Sequence, residues 1–156
     1  MEHLPKIVVF AHIIAANMFV MTLVIMQLVV NPAMAKIPAG PGKEAAVAFI
    51  QGRWHPVVDA AIITLDITGL FLLVTRLWII GASPILHIKT SFGAVALICA
   101  NLLHFYFRSH KRKLKAEGRM DRLARITRIT SYMEKTALVT GVLAFLFGAT
   151  FNHSPF

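Results

Sequence analysis

The chain has 156 residues, 57% of them apolar and 15% charged, with a mean hydropathy of +0.70 and a formal charge of +9. This length excludes several domains, and this composition excludes an ordinary soluble one. Cys99 is the only cysteine, so an intrachain disulfide and a multi-thiolate zinc site are excluded as well. The expectation is a single membrane domain over residues 1–156.

Four long apolar segments predict four transmembrane helices. Each is near or above the ~20 residues that cross the hydrocarbon core, and lipid offers an irregular backbone no hydrogen-bond partner. The first segment is too long for a signal-peptide core of ~7–15 residues, so we read it as a retained span. The predicted fold class is all-α, an integral membrane four-helix antiparallel bundle. The predicted spans are about 7–30, 56–80, 85–107 and 129–151.

The connections between these spans differ in character. Prolines and glycines in residues 31–53 indicate turns, followed by a short interfacial helix over residues 44–50. Residues 81–84 predict a tight turn. The third connection has no proline, so we expect the third helix to continue past the membrane, turn near Gly118 and restart toward the fourth span.

The positive charge is concentrated in two of these connections. Nine of the sixteen lysines and arginines lie in residues 108–128, and three more, Lys36, Lys43 and Arg53, lie in the first connection. The positive-inside rule therefore predicts that both connections are cytoplasmic and that both termini lie outside. This placement favours anchoring to anionic membrane lipid over nucleic-acid binding.

Small residues recur in three of the predicted spans, where they would let helices pack closely. The set comprises Ala11, Ala15 and Ala16 in the first span, Gly93 and Ala94 in the third, and Gly141 and Gly148 in the fourth.

The second span carries a polar stripe. His55, Asp59 and Asp66 fall within about 40° of one another at ~100° per residue, so they share one helix face. Polar groups at such depth are costly and mark functional sites by default. A proton relay, a cation pathway or hydrogen bonds to a cofactor all fit. A purely structural network, with the carboxyl groups protonated or paired with lysine or arginine, fits as well.

Four histidines separate by depth once the topology is assigned. His12 and His87 both lie toward the outer side, whereas His55 and His104 lie toward the cytoplasmic side. Two imidazoles on facing helices at one level can hold a haem iron. His12 and His87 are therefore the preferred metal ligands. His55 and His104 give a second, weaker haem site, so we expect one haem rather than two.

Methionines in the first span offer another interpretation. Met18, Met21 and Met26 are soft ligands of the kind that copper(I) prefers, although methionines on apolar helices commonly serve packing.

Short motifs recur along the chain: Ala11-His12-Ile13-Ile14, Leu86-His87-Ile88-Lys89, Leu103-His104-Phe105-Tyr106, Met133-Glu134-Lys135 and the terminal Pro155-Phe156. They resemble the four-helix bacterial protoporphyrinogen IX oxidase family and, more distantly, the copper-resistance D membrane family. The resemblance implies haem b bound by His12, a required Lys89, and a bacterial inner (cytoplasmic) membrane location.

The leading hypothesis is a haem b-binding membrane protein for electron transfer or membrane-linked oxidation. Lys89 would pair with a haem propionate or an acidic substrate group, and Asp59 and Asp66 would carry protons. Quinone, a porphyrinogen or other membrane subunits are the expected partners. One alternative is copper or proton transport through the same His and Asp residues, and another is a structural or assembly subunit of a membrane complex.

Overall fold

The computed structural model describes the backbone of residues 3–151 and the side-chain surroundings of residues 6–75 and 83–148. Within residues 3–151 the chain forms four long helices and no strand, and only residues 37–40, Ser83 and residues 117–119 are non-helical. The predicted all-α class is confirmed, and each predicted span lies within one helix. The helices are α1 (residues 3–36), α2 (Pro41–Ala82), α3 (residues 84–116) and α4 (Met120–Phe151).

Three of these helices are long and apolar enough to cross a membrane. The qualifying segments are Lys6–Lys36, Pro41–Thr75 and Pro84–Ala116. The described part of α4 does not qualify by the same measure, and it carries Glu134 and Lys135. The fourth span and the membrane bundle as a whole therefore stay predictions.

The first connection is much shorter than predicted. α1 continues to Lys36, only residues 37–40 are non-helical, and α2 begins at Pro41. The prediction of a short separate helix over residues 44–50 is wrong, because these residues belong to the first turns of α2. This helix continues through Pro56 without a break. Pro41 can begin α2 because proline is tolerated in the first turn of a helix, where the missing N–H has no intrahelical partner.

The other two connections match the prediction. Ser83 is extended, and its Oγ accepts a hydrogen bond from the Leu86 N–H at 3.5 Å, so it caps α3. Gly118 has a φ of +68°, a conformation that favours glycine. The Arg119 N–H donates to Leu114 O at 3.0 Å and the Gly118 N–H to Lys115 O at 3.2 Å, which closes α3 with a Schellman motif.

Two helices contain a π-helical segment that the sequence did not predict. Met26–Val30 interrupts α1, and Leu102–Phe107 interrupts α3. Wide turns of this kind are rare and are frequently found at functional sites. The segment in α3 includes His104, so one of the candidate ligands lies on a widened helical turn.

The chain divides into two compact units, Met1–Leu72 and Leu73–Phe156. In the first unit, α1 and the adjoining part of α2 bury facing stripes of side chains. Repeats of three and four residues place these side chains on one face of each helix. The stripe of α1 is Ala15, Phe19 and Thr22, and that of α2 is Val58, Ala61, Ile62, Leu65 and Thr68.

In the second unit, small residues bring α3 and α4 close together. Ala96, Ala100 and Ala137 are almost fully buried. A Cβ on Gly93 would lie 3.9 Å from the Ala144 Cβ, and Phe92 stacks on Phe147 with ring centroids 6.2 Å apart. Close packing through small residues is typical of membrane helices. Ala94, expected to share this role, is exposed because it faces away from α4.

Candidate functional site around His12

A hydrogen-bonded chain joins α1 to α2 inside the first unit. His12 Nδ1 lies 2.9 Å from Thr68 Oγ1, and the Thr68 hydroxyl donates to the Thr64 carbonyl oxygen at 2.6 Å. The His12 ring is half-buried and Thr68 is 8% exposed. The imidazole is therefore held by α2, across 56 positions of sequence.

This chain defines which nitrogen of His12 carries the proton. A hydroxyl has one proton to donate, and that of Thr68 is directed to the Thr64 carbonyl. Thr68 Oγ1 must then accept from the Nδ1–H of His12. In the neutral ring the lone pair is then on Nε2. Histidine typically binds a metal in this form, through one ring nitrogen while the N–H of the other donates to a neighbouring residue.

Gly69 places the backbone of α2 beside the same ring. A Cβ at this position would lie 3.7 Å from His12 Cε1, an ordinary van der Waals contact. One turn further along α1, Ala15 is 3% exposed and packs in the interior of the unit. His12 is thus oriented by a hydrogen bond and bordered by small residues, as a ligand of a flat cofactor would need to be.

The polar stripe of α2 lies at the edge of this packed face. His55, Asp59 and Asp66 are half-buried on one continuous helix, as the spacing predicted. Ile62, which lies between the two aspartates along the stripe, is fully buried. The carboxyl groups therefore border the interior of the first unit.

The remaining candidate residues lie in the second unit. His87 is exposed in the first turn of α3, and His104 is half-buried in the π-helical segment. His12 belongs to one unit and His87 to the other, so their pairing as axial ligands stays a prediction. The same holds for the pair His55 and His104. Met18 and Met21 are 45% and 55% exposed on α1.

The side chain of Lys89 on α3 packs against Gly148 of α4. A Cβ on Gly148 would lie 3.0 Å from Lys89 Cε and 3.2 Å from its Nζ. The lysine is half-buried and lies in an apolar part of α3. The absence of a side chain at Gly148 gives the ammonium group its position on this helix pair.

Comparisons with family models, with curated proteins and with solved structures give no match. Nothing in them bears on the resemblance noted in the sequence, and its Pro155-Phe156 motif lies outside the described residues. Among the described residues, no three His, Cys, Asp or Glu side chains come together as a metal site.

The roles of Thr68 and Gly69 were not predicted from the sequence. Threonine and glycine are both common in membrane helices, and neither breaks the apolar pattern of the second span. No pattern in the sequence pointed to Thr68, because a helical threonine can bond to the carbonyl one turn earlier whatever residue supplies it.

Proposed function

We propose that the protein is an integral membrane four-helix protein that binds one haem b through His12 and serves electron transfer or membrane-linked oxidation. The observation that carries the proposal is the bond between His12 Nδ1 and Thr68 Oγ1. A haem bound here would supply one-electron redox chemistry.

The donor chemistry of His12 fits a haem iron. Iron prefers a neutral imidazole nitrogen, and a hydrogen bond to the other ring nitrogen fixes the tautomer and the ring orientation. Thr68 provides this bond, and the carbonyl of Thr64 fixes the hydroxyl of Thr68 in turn. His87 would supply the second ligand, because its predicted depth is also on the outer side.

Lys89 and the polar stripe have supporting roles in this proposal. An ammonium group in an apolar segment favours an anionic neighbour, so Lys89 would pair with a haem propionate or an acidic substrate group. Asp59 and Asp66 are two turns apart on one face of α2 and would move protons along that helix.

Three helices that are long and apolar enough to span, together with the charge distribution, support the proposed membrane placement. We propose the bacterial inner membrane with both termini outside, since the basic segments then face the cytoplasm. Quinone, a porphyrinogen or a neighbouring redox subunit would exchange electrons with the protein.

The test is a reduced-minus-oxidised visible spectrum of the gently solubilised protein, with haem quantified per chain. The proposal predicts a b-type spectrum, about one haem per chain, and its loss in His12→Ala. His110→Ala is the matched control, because His110 stacks on Tyr106 in the second unit and should leave the spectrum unchanged. A protein without haem would contradict the proposal. Metal uptake that fails in Asp66→Asn would then favour transport.

A further inference from the structure

We propose that the face of α4 turned away from α3 binds one anionic phospholipid of the cytoplasmic leaflet, with its phosphate between Arg128 and Lys135. The inference rests on the proposed membrane placement and orientation but not on haem. It assigns a ligand to one defined surface, whereas the positive-inside rule gives only a diffuse attraction along the basic connection.

The cationic residues of this surface lie along a shallow cavity of about 630 Å³. Its lining includes Arg128, Ser131, Tyr132 and Lys135, all of them exposed. Arg128 and Lys135 are seven residues apart, about 10 Å along the axis, with the two hydroxyl groups between them. Two cations and two hydroxyls are the groups that recognise a phosphate.

The same face continues into apolar residues toward the outer side. At 100° per residue, five side chains of α4 lie within about 60° of one another around the helix: Arg128, Tyr132, Lys135, Val139 and Leu146. Val139 is 57% exposed and Leu146 is 53% exposed. The order along this face, charge first and apolar side chains after it, matches the order of a phospholipid, headgroup first and acyl chains after it.

This surface lies opposite the packed face of α4. Thr130, Ala137 and Gly141 are buried on the side toward α3, about 120–180° around the helix from Arg128 and Lys135. Glu134 projects on the packed side, where it contributes to the electrostatics of Lys111. Asp121 lies on the lipid-binding side but two turns before Arg128, about 10 Å nearer the cytoplasm.

The cytoplasmic end of α4 is held in place by its neighbour. Lys111 Nζ donates to Thr130 Oγ1 at 2.6 Å, and the Thr130 hydroxyl donates to Thr127 O at 3.0 Å. Leu114, at the end of α3, is 2% exposed. Arg128 therefore projects from a helix that is already fixed, which lowers the entropic cost of binding.

The depth of these residues also fits a headgroup. The predicted fourth span begins at residue 129, so Arg128 lies at the membrane boundary. Lys135 lies about 10 Å deeper, and a lysine at that depth extends its ammonium group back toward the interface. Tyr132 lies between them, at the level where tyrosine is enriched.

The test is native mass spectrometry of the full chain in neutral detergent, titrated with phosphatidylglycerol or with phosphatidylcholine of the same acyl chains. We expect one phosphatidylglycerol to bind in clear preference to phosphatidylcholine. Each lysine or arginine near an anionic surface contributes about fivefold in affinity, so Arg128→Gln with Lys135→Gln should weaken phosphatidylglycerol binding about thirtyfold.

The matched control removes the same charge elsewhere. Arg112→Gln with Lys115→Gln alters two exposed residues of α3 outside the cavity and should keep the wild-type affinity. Equal losses in the two double variants would overturn the defined site and leave only diffuse attraction. A lack of preference between the lipids, or a second copy of the chain in place of lipid, would also overturn it.

Three further measurements keep the outcomes distinct. The helical far-UV signal shows whether each variant folds, and the single substitutions repeat the test if the double variant does not. Alkaline extraction of native membranes tests the membrane placement, and the haem spectrum tests the redox proposal. Failure of the wild-type protein to bind phosphatidylglycerol, with membrane placement and haem spectrum both as proposed, would contradict the lipid site alone.

Discussion

The two units of the chain pack by different means. In the first, polar groups are part of the packing, since His12 and Thr68 bond directly between α1 and α2. In the second, small apolar residues build the middle of the contact between α3 and α4. The polar contacts lie toward its ends, where Lys111 bonds to Thr130 and Lys89 packs against Gly148. A polar bond between helices fixes the orientation of a side chain, whereas close packing of small residues fixes only the separation of the helices. The difference favours His12, in the first unit, as the haem ligand that the fold holds in one orientation.

The strongest test of the first unit, apart from removing His12, is Thr68→Val. It removes the hydroxyl that accepts from His12 and keeps the shape of the side chain. Removing a residue that hydrogen-bonds to a metal ligand typically weakens metal binding roughly 10–100-fold, so the affinity for haem should fall by that factor.

Thr64→Val is the control for this prediction. It removes a hydroxyl one turn away on the same helix but keeps the carbonyl that Thr68 uses. Haem titration of the apoprotein gives both affinities, and equal affinities for Thr68→Val and wild type would show that His12 needs no orientation by α2.

The corresponding test of the second unit is Ala137→Leu. Ala137 is 0% exposed, and a larger side chain there must push α3 and α4 apart. Overpacking of this kind typically costs about 1–3 kcal/mol, measured as the free energy of unfolding in mixed micelles. Val139→Leu, two residues along on an exposed position, should leave stability unchanged. An unchanged stability in Ala137→Leu would contradict close packing in this unit.

The sequence predicted the helices well and their junctions less well. The spans could be predicted because ~20 apolar residues must be helical in lipid, whatever they contact. The separate helix expected at residues 44–50 was wrong because proline and glycine at residues 38–42 mark one short break, and Pro41 starts a helix as readily as it ends one.

The candidate site could be predicted only in part. His12 was identified because an imidazole in an apolar segment is costly, a property of the residue alone. Thr68 could not be, since its role depends on a contact 56 positions away and on the register of α1 against α2. The π-helical segments were missed for a similar reason, because a widened turn leaves the apolar composition of the helix unchanged.

The smallest expected effect concerns the turn of the second unit. Gly118 has a φ of +68°, so Gly118→Ala should lower the free energy of unfolding by about 1 kcal/mol. Gly42→Ala is the control, because a Cβ there meets nothing within 4 Å and the residue lies in the first turn of α2. Equal stability of the two variants would show that the Schellman motif contributes little to this helix pair.

The most direct measurement of the central claim is rescue of His12→Gly by added imidazole. The variant leaves space where the ring was, and free imidazole can supply the missing nitrogen to the iron. The account predicts that haem content and the b-type spectrum fall in His12→Gly and return when imidazole is added. Haem content equal to that of the wild-type protein in His12→Gly, before any imidazole is added, would contradict it.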